Sequence, residues 1–189
     1  IKYLKIAEKA VERLIFIVKD LDLITKLESN NMKVELSSFN IISIINNVFE
    51  MLEIQASKKN ISLVIDSKKK KINVFADQEK IHQVLTNLIE NSIKYGKKNG
   101  TTEISVENLI DNKLLVRITD NGKGIKKEHF ERLFERFYRV ESSGSRSTGG
   151  SGLGLAIVKH IIDAHNEKIY VESDFGVGSE FSFSIEKSK

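Results

Sequence analysis

No glycine occurs before Gly96, and no proline occurs anywhere in the chain. These two residues interrupt helices and strands more strongly than any others. A first half without them is constrained to long elements joined by turns that other residues must make. The second half differs, because seven of the eleven glycines fall between Gly122 and Gly154. Glycine permits tight turns and close backbone approach to a ligand, so this clustering marks a candidate site.

The absence of cysteine excludes a disulfide scaffold, a thiolate metal centre and a cysteine nucleophile. With 189 residues, the chain is one large domain or two small ones. Apolar residues make up 40% and charged residues 30%, as in an ordinary folded domain. A balance of 30 basic against 26 acidic residues leaves +4, too weak a bias for a nucleic-acid-binding face. Lys68 to Lys71 reads as a solvated turn between strands. No apolar run reaches the ~18 residues of a membrane span, so the fragment is expected not to be membrane-inserted. It starts at Ile1 with no basic-then-apolar leader and reads as a piece of a longer protein.

Residues 1–28 read as one long helix. Leu4, Ala7, Val11, Leu14, Val18 and Leu21 follow the alternating three-and-four spacing of a coiled-coil seam. Ile15, Ile17, Leu23, Ile24 and Leu27 widen that stripe, which implies several neighbours, as in a four-helix bundle. A dimer or a further segment must supply them. After a polar break at 29–32, the pattern predicts strands over 32–36, 60–65, 72–75, 103–107, 114–119, 169–173 and 180–185. Helices are expected over 39–57, from an Asp77 cap to near Gly96, over 127–134, and over 153–164. The order lacks a repeated strand–helix–strand beat. It predicts an α/β two-layer sandwich, a mixed sheet with helices on one face, covering 29–189 behind the bundle-forming helix 1–28.

Three pieces carry chemistry. Asn87, Asn91 and Lys94 share one helical stripe. Amides are costly to bury unpaired, a carboxamide oxygen can ligate Mg2+, and an ammonium suits phosphate. Asp120-Asn121-Gly122-Lys123-Gly124 follows a strand, where a carboxylate can accept from a base amino group and the glycines let the base approach. Gly149 to Leu155 enters a helix whose free N–H groups form an anion cradle. It lacks the Gly-Lys-Ser/Thr ending of a Walker A loop, and the strand context of a dinucleotide fingerprint.

Taken in order, these pieces resemble the ATP-binding catalytic domain of bacterial sensor histidine kinases. That domain has the Bergerat fold, shared with gyrase B, Hsp90-type chaperones and MutL-type proteins. Gln83 to Tyr95 resembles the family's N box, Asp120 to Gly124 its first glycine box, and Phe130 to Arg139 its F box. Gly150 to Leu155 resembles the second glycine box, and Gly176 to Ser179 with Phe181 the last glycine motif. The resemblance covers 32–186. Residues 1–28 resemble the second helix of the dimerisation and phosphoacceptor hairpin, whose first helix, with the acceptor histidine, is expected upstream. His82, His129, His160 and His165 lack the family's acceptor context and read as helix or surface residues. His160 and His165 share a helix without an evident third metal ligand.

The resemblance implies ATP and Mg2+ as ligands. It makes Asn91 the Mg2+ ligand, with Asn87 in the same metal and phosphate network and Lys94 on phosphate. Tyr95 would lie against adenine or ribose, and Asp120 would accept from the adenine amino group. Gly122, Gly124 and Ile125 would shape that pocket. Phe134 and Phe137 would hold a lid over 140–149, with Phe137 beside the nucleotide, and Gly150, Gly152, Leu153 and Gly154 would form the cradle. Arg139 would meet the γ-phosphate, joining Asn87 and Lys94 as catalytic residues. The implied partners are a response regulator and a second copy, the latter through the hairpin. A cytoplasmic fragment of a bacterial inner-membrane protein is the expected location. Two departures stand in turns: Asn166-Glu167 replaces a Gly-Gly pair, and Gly96 to Gly100 replaces a Thr/Ser-Pro step. Asn166 is expected to adopt a left-handed cap. Competing readings are a nucleotide-binding module without transfer, and a gyrase- or chaperone-type ATPase, which would need an acid near Asn87 to activate water.

Overall fold

The computed structural model describes residues 33–67, 69–140 and 151–188, and eight positions between Leu4 and Thr25. Those eight are helical, as the spacing predicts, and Leu4, Val11, Leu14, Ile15 and Val18 are all exposed. Ile17, Leu21, Leu23, Ile24 and Leu27 of the expected stripe lie outside the described residues, as do 141–150.

The order of elements is β1 (Leu36–Asn40), α1 (Ile41–Ser57), β2 (Ser62–Asp66), β3 (Asn73–Asp77) and α2 (Gln78–Tyr95), then β4 (Thr101–Asn108) and β5 (Lys113–Asp120). A 3-10 helix (Lys127–Arg132), α3 (Gly154–Ala164), β6 (Ile169–Asp174) and β7 (Gly178–Glu186) follow. Five strands form one mixed sheet in the order β2-β4-β5-β7-β6, with β2 parallel to β4 and the other pairs antiparallel. Strands β1 and β3 form a separate antiparallel pair. The Val74–Lys187 bridge and the Ser188 N–H to the Asn73 carbonyl tie that pair to the end of β7.

Alternation explains why the helices take one face. In β5, Leu114, Val116 and Ile118 point inward and join Phe181, Phe183 and Ile185 of β7 in one core with Ile45, Val48, Leu85, Leu88, Ile157 and Ile161 of the helices. The other face carries Glu103, Glu107, Arg117, Thr119 and Glu180, with Arg117 bound to Glu180 at 2.6 Å and to Glu107 at 3.5 Å. A sheet polar on one face and apolar on the other accepts a single helical layer. The two-layer sandwich expected from the sequence is therefore the observed fold.

Two expectations need correction. The first strand is Leu36–Asn40, not 32–36, and the following helix starts at Ile41, not at 39. The alternation before residue 36 buries nothing that would fix a strand, since Leu36 is exposed, whereas Phe39 is buried. Asn40 then ends the strand by capping α1, its Oδ1 accepting from the Ile42 N–H at 3.2 Å. The separate β1–β3 pair also went unforeseen, because nothing in a strand's own pattern names its partner.

Candidate functional site

Helix α2 begins where expected. Asp77 Oδ1 accepts from the Lys80 N–H at 3.1 Å, the N-cap bond that its position suggests. The helix presents Asn87, Asn91 and Tyr95 at successive steps of four, a stripe about 12 Å long at 1.5 Å per residue. Each end of this stripe meets a glycine box. Beside Asn87 lies the start of α3: a Cβ on Gly154 would stand 3.4 Å from the Asn87 amide oxygen. Beside Tyr95 lies the turn after β5: a Cβ on Gly122 would stand 2.7 Å from the Tyr95 carbonyl. Folding thus brings three sequence-distant motifs onto one side of α2.

The floor at the Tyr95 end is a row of buried polar groups. The register pairs Asp120 with Thr102 on β4 and with Ser179 on β7, and all three are buried. Ser92 on α2 shares a short 2.5 Å hydrogen bond with Thr102 across the two hydroxyls. Asp120 Oδ1 accepts from the Gly122 N–H at 2.7 Å. Burial pushes the Asp120 carboxyl above its usual range, while backbone N–H groups of Gly122 and Ser179 and the Lys97 charge pull it back. Ile125, half-buried, donates its N–H to Ser173 Oγ at 2.8 Å and packs on the core. Thr102 was absent from the sequence reading, which started its strand one residue later. Its signal is its opposition to Asp120, visible only once strands are paired.

The rim there is basic. Burial and the charges of Lys123 and Lys94 lower the Lys59 pKa. Lys59 Nζ donates to the Ile93 carbonyl at 2.9 Å and the Lys94 carbonyl at 2.5 Å, occupying orphan acceptors at the α2 C-terminus. Lys94 Nζ sits 4.9 Å from the Tyr95 ring centroid. Lys97 Nζ reaches the Gly176 carbonyl at 2.8 Å, which fastens the Gly96–Gly100 turn to the β6–β7 hairpin.

At the Asn87 end the stripe meets the start of α3. At the N-terminus of α3 the buried Leu153 provides no side-chain cap, and its own N–H is donated to the Ser151 hydroxyl at 3.3 Å. The Asn87 Nδ2 is buried and has no hydrogen-bond partner among the described residues. Of the Asn87 amide, the oxygen borders the start of α3, and the buried, unpaired Nδ2 leaves a donor that an acceptor from outside the chain would satisfy. The segment after the 3-10 helix reaches this end at Phe137. The Phe137 N–H donates to the Gly152 carbonyl at 3.0 Å, and a Cβ on Gly152 would press within 2.8–3.0 Å of the Phe137 backbone. Both residues have positive φ, 61° for Phe137 and 77° for Gly152. This pairing joins the two ends of segment 138–151. Arg139 is half-buried beside it, whereas Gly150 and most of the proposed lid lie outside the described residues.

His165 is not a surface residue. Its Nε2 accepts from the Asp77 N–H at 3.0 Å, so its Nδ1 carries the proton donated to the Ile161 carbonyl at 2.8 Å. Both ring nitrogens are engaged, which ties the end of α3 to the cap of α2 and leaves none for a metal. Asn166 adopts the expected left-handed conformation at φ 56°. Glu167 is buried on Lys113 Nζ at 2.8 Å and on the Ser184 hydroxyl.

Comparison with known proteins decides the family. The model for histidine kinase-, DNA gyrase B- and HSP90-like ATPases matches residues 76–189. The chain belongs to this family. Among curated relatives, the sensor protein kinase WalK of Staphylococcus aureus is 35% identical over 187 residues, 97% of this chain and 44% of WalK. For WalK of strain NCTC 8325 the share falls to 30%, so the chain spans less than half the length of these relatives. The catalytic domain of the histidine kinase ThkA superposes with TM-score 0.70 at 32% identity, covering 81% of this chain and 96% of that one. ThkA in complex with the response regulator protein TrrA gives TM-score 0.76 at 29% identity, covering 99% of this chain and 51% of that one. Full-length ShkA bound to AMPPNP shares the fold at TM-score 0.87 and 23% identity, covering 100% and 39%. The chain is an ATP-binding kinase domain of the two-component histidine kinase family.

Proposed function

We propose that this domain binds ATP along α2 and presents the γ-phosphoryl to a histidine on an upstream helix, from which an aspartate of a response regulator takes it. The observation that carries this reading is Asn87, whose buried Nδ2 has no hydrogen-bond partner among the described residues and whose amide oxygen borders the start of α3. In this assignment adenine lies over Asp120, held between Tyr95 and the Gly122–Ile125 turn, and the phosphates lie towards Asn87. Asp120 accepts from the adenine amino group, which selects adenine over guanine. Asn87 Nδ2, Lys94 and the N–H groups of Gly152 to Gly154 bind phosphate oxygens, and Arg139 meets the transferring group. Positioning and charge neutralisation are the catalytic contribution.

The residues also fit Mg2+. Among the described residues no group of three His, Cys, Asp or Glu could hold a metal. A hard ion that keeps phosphate and water ligands needs only an amide oxygen, which Asn91 and Asn87 supply. When bound, the ion would neutralise phosphate charge. The exposed apolar face at Leu4, Val11, Leu14 and Val18 is assigned to a helical dimer interface, because an apolar stripe of that spacing calls for helical neighbours. No helix among the described residues is long and apolar enough to cross a membrane. A cytoplasmic domain of a bacterial membrane kinase is the location proposed.

Labelled ATP tests transfer. The 189-residue chain should not label itself, and should label a longer chain of the same protein that supplies the upstream helix, with acid-labile product. Robust self-labelling, or no transfer to the longer chain, would contradict the assignment.

A further inference from the structure

At the end of the sheet away from Asp120, a cavity of about 540 Å³ opens between the last residues of β2 and β4, the starts of β3 and β5, and the end of β7. The β4–β5 register fixes the separation, with Thr102 opposite Asp120 at one end and Asn108 opposite Leu114 at the other. No residue of the proposed nucleotide site lines this cavity. Its volume falls within the ~300–1,000 Å³ of small-molecule sites.

The lining divides by chemistry. Half-buried Val106 supplies apolar surface, backed by the buried Ile72 and Leu114. Lys69, Lys71 and Lys187 supply three ammonium groups against a single carboxylate, Asp66. Elsewhere cations find partners: Lys113 pairs with Glu167, Arg117 with Glu180, Arg132 with Glu135 and Lys159 with Asp163. Among the described residues no carboxylate pairs with Lys69, Lys71 or Lys187, and Lys187 Nζ has only the Asn108 amide oxygen, at 3.3 Å. Like charges gathered around an apolar recess repel one another, and an anion relieves that repulsion. An apolar body on the same anion gains from covering the exposed part of Val106. We propose that this recess binds a small organic anion with an apolar body and two or more negative groups, at a site separate from the nucleotide.

The probe is bis-anilinonaphthalene sulfonate, a dianionic aromatic dye, titrated into the 189-residue chain with and without saturating Mg-ATP. The expected result is saturable one-to-one binding, unaffected by nucleotide, with amide shifts at 71–73 and 106–108. The Lys71→Glu/Lys187→Glu variant should lose at least tenfold in affinity with an unchanged melting temperature. Lys69→Gln, which reverses no charge, should lose a few-fold and serves if the double variant melts early. Asp120→Asn should bind the dye as the parent does, which separates this site from the nucleotide reading. Absence of saturable binding, equal binding by the lysine variants, or displacement by Mg-ATP would overturn the proposal. So would binding to phosphatidylglycerol vesicles without binding to the soluble dye, because the patch would then face a membrane.

Discussion

Asp120 shows how a single residue can hold function against stability. Its carboxylate is buried, and desolvation raises its pKa above the ordinary 3.8 despite two backbone N–H donors and Lys97. The folded state therefore binds a proton more tightly than the unfolded state. Stability falls as pH rises through the interval from the unfolded value to the raised one, and the whole penalty stands above it. Asp120→Asn should remove that declining limb and leave the protein at least as stable at pH 7, by melting temperature across pH 3–8. The same substitution should weaken ATP binding by about 2 kcal/mol or more, roughly 30-fold, through loss of a charged acceptor. In the parent chain, ATP affinity should fall as pH drops through that interval, because the protonated carboxyl no longer accepts freely. An Asp120→Asn protein that binds ATP like the parent would exclude contact with the base.

At the scale of elements, the junction of Phe137 with Gly152 governs how segment 138–151 meets α3. Gly152 has φ 77°, and any Cβ there would meet the Phe137 backbone at 2.8 Å. Gly152→Ala combines left-handed strain with a backbone clash and should cost about 1–3 kcal/mol of stability. It should also weaken Mg-ATP binding, because it displaces the N–H groups that start α3. Gly176 offers the contrast: its φ is 91°, yet nothing lies within 4 Å of an added Cβ. Gly176→Ala should cost stability and leave ATP affinity nearly intact; calorimetry on both variants checks this, and equal losses of affinity would refute the cradle. Elements of this kind were legible where local chemistry sets them: the Asp77 cap, the amide stripe on α2, the glycine turns and the left-handed Asn166. The Ser92–Thr102–Asp120–Ser179 row, the Lys59 cap on α2 and the His165–Asp77 bond were not. Each joins residues far apart in sequence, and strand register or helix packing creates them without leaving any periodicity in the chain.

For the whole molecule, the one-sided sandwich explains why the site lies where it does. Helices cover one face of the sheet, and α2 carries one polar stripe between two glycine boxes. The strand ends at Asp120 and Ser179 floor one end of that stripe, and the start of α3 closes the other. In the proposed assignment the ligand combines a base with a donor amino group, at Asp120, and a polyphosphate, at Asn87. Titration calorimetry of the 189-residue chain with Mg-ATP and Mg-GTP, repeated on Asn87→Ala and Asp120→Asn, addresses this directly. ATP should bind at least tenfold more tightly than GTP. Asp120→Asn should erase most of that preference, and Asn87→Ala should weaken both nucleotides while keeping their ratio. Equal affinities for ATP and GTP in the parent chain, or an Asn87→Ala protein that binds both as the parent does, would contradict the placement of adenine on Asp120 and phosphate on Asn87.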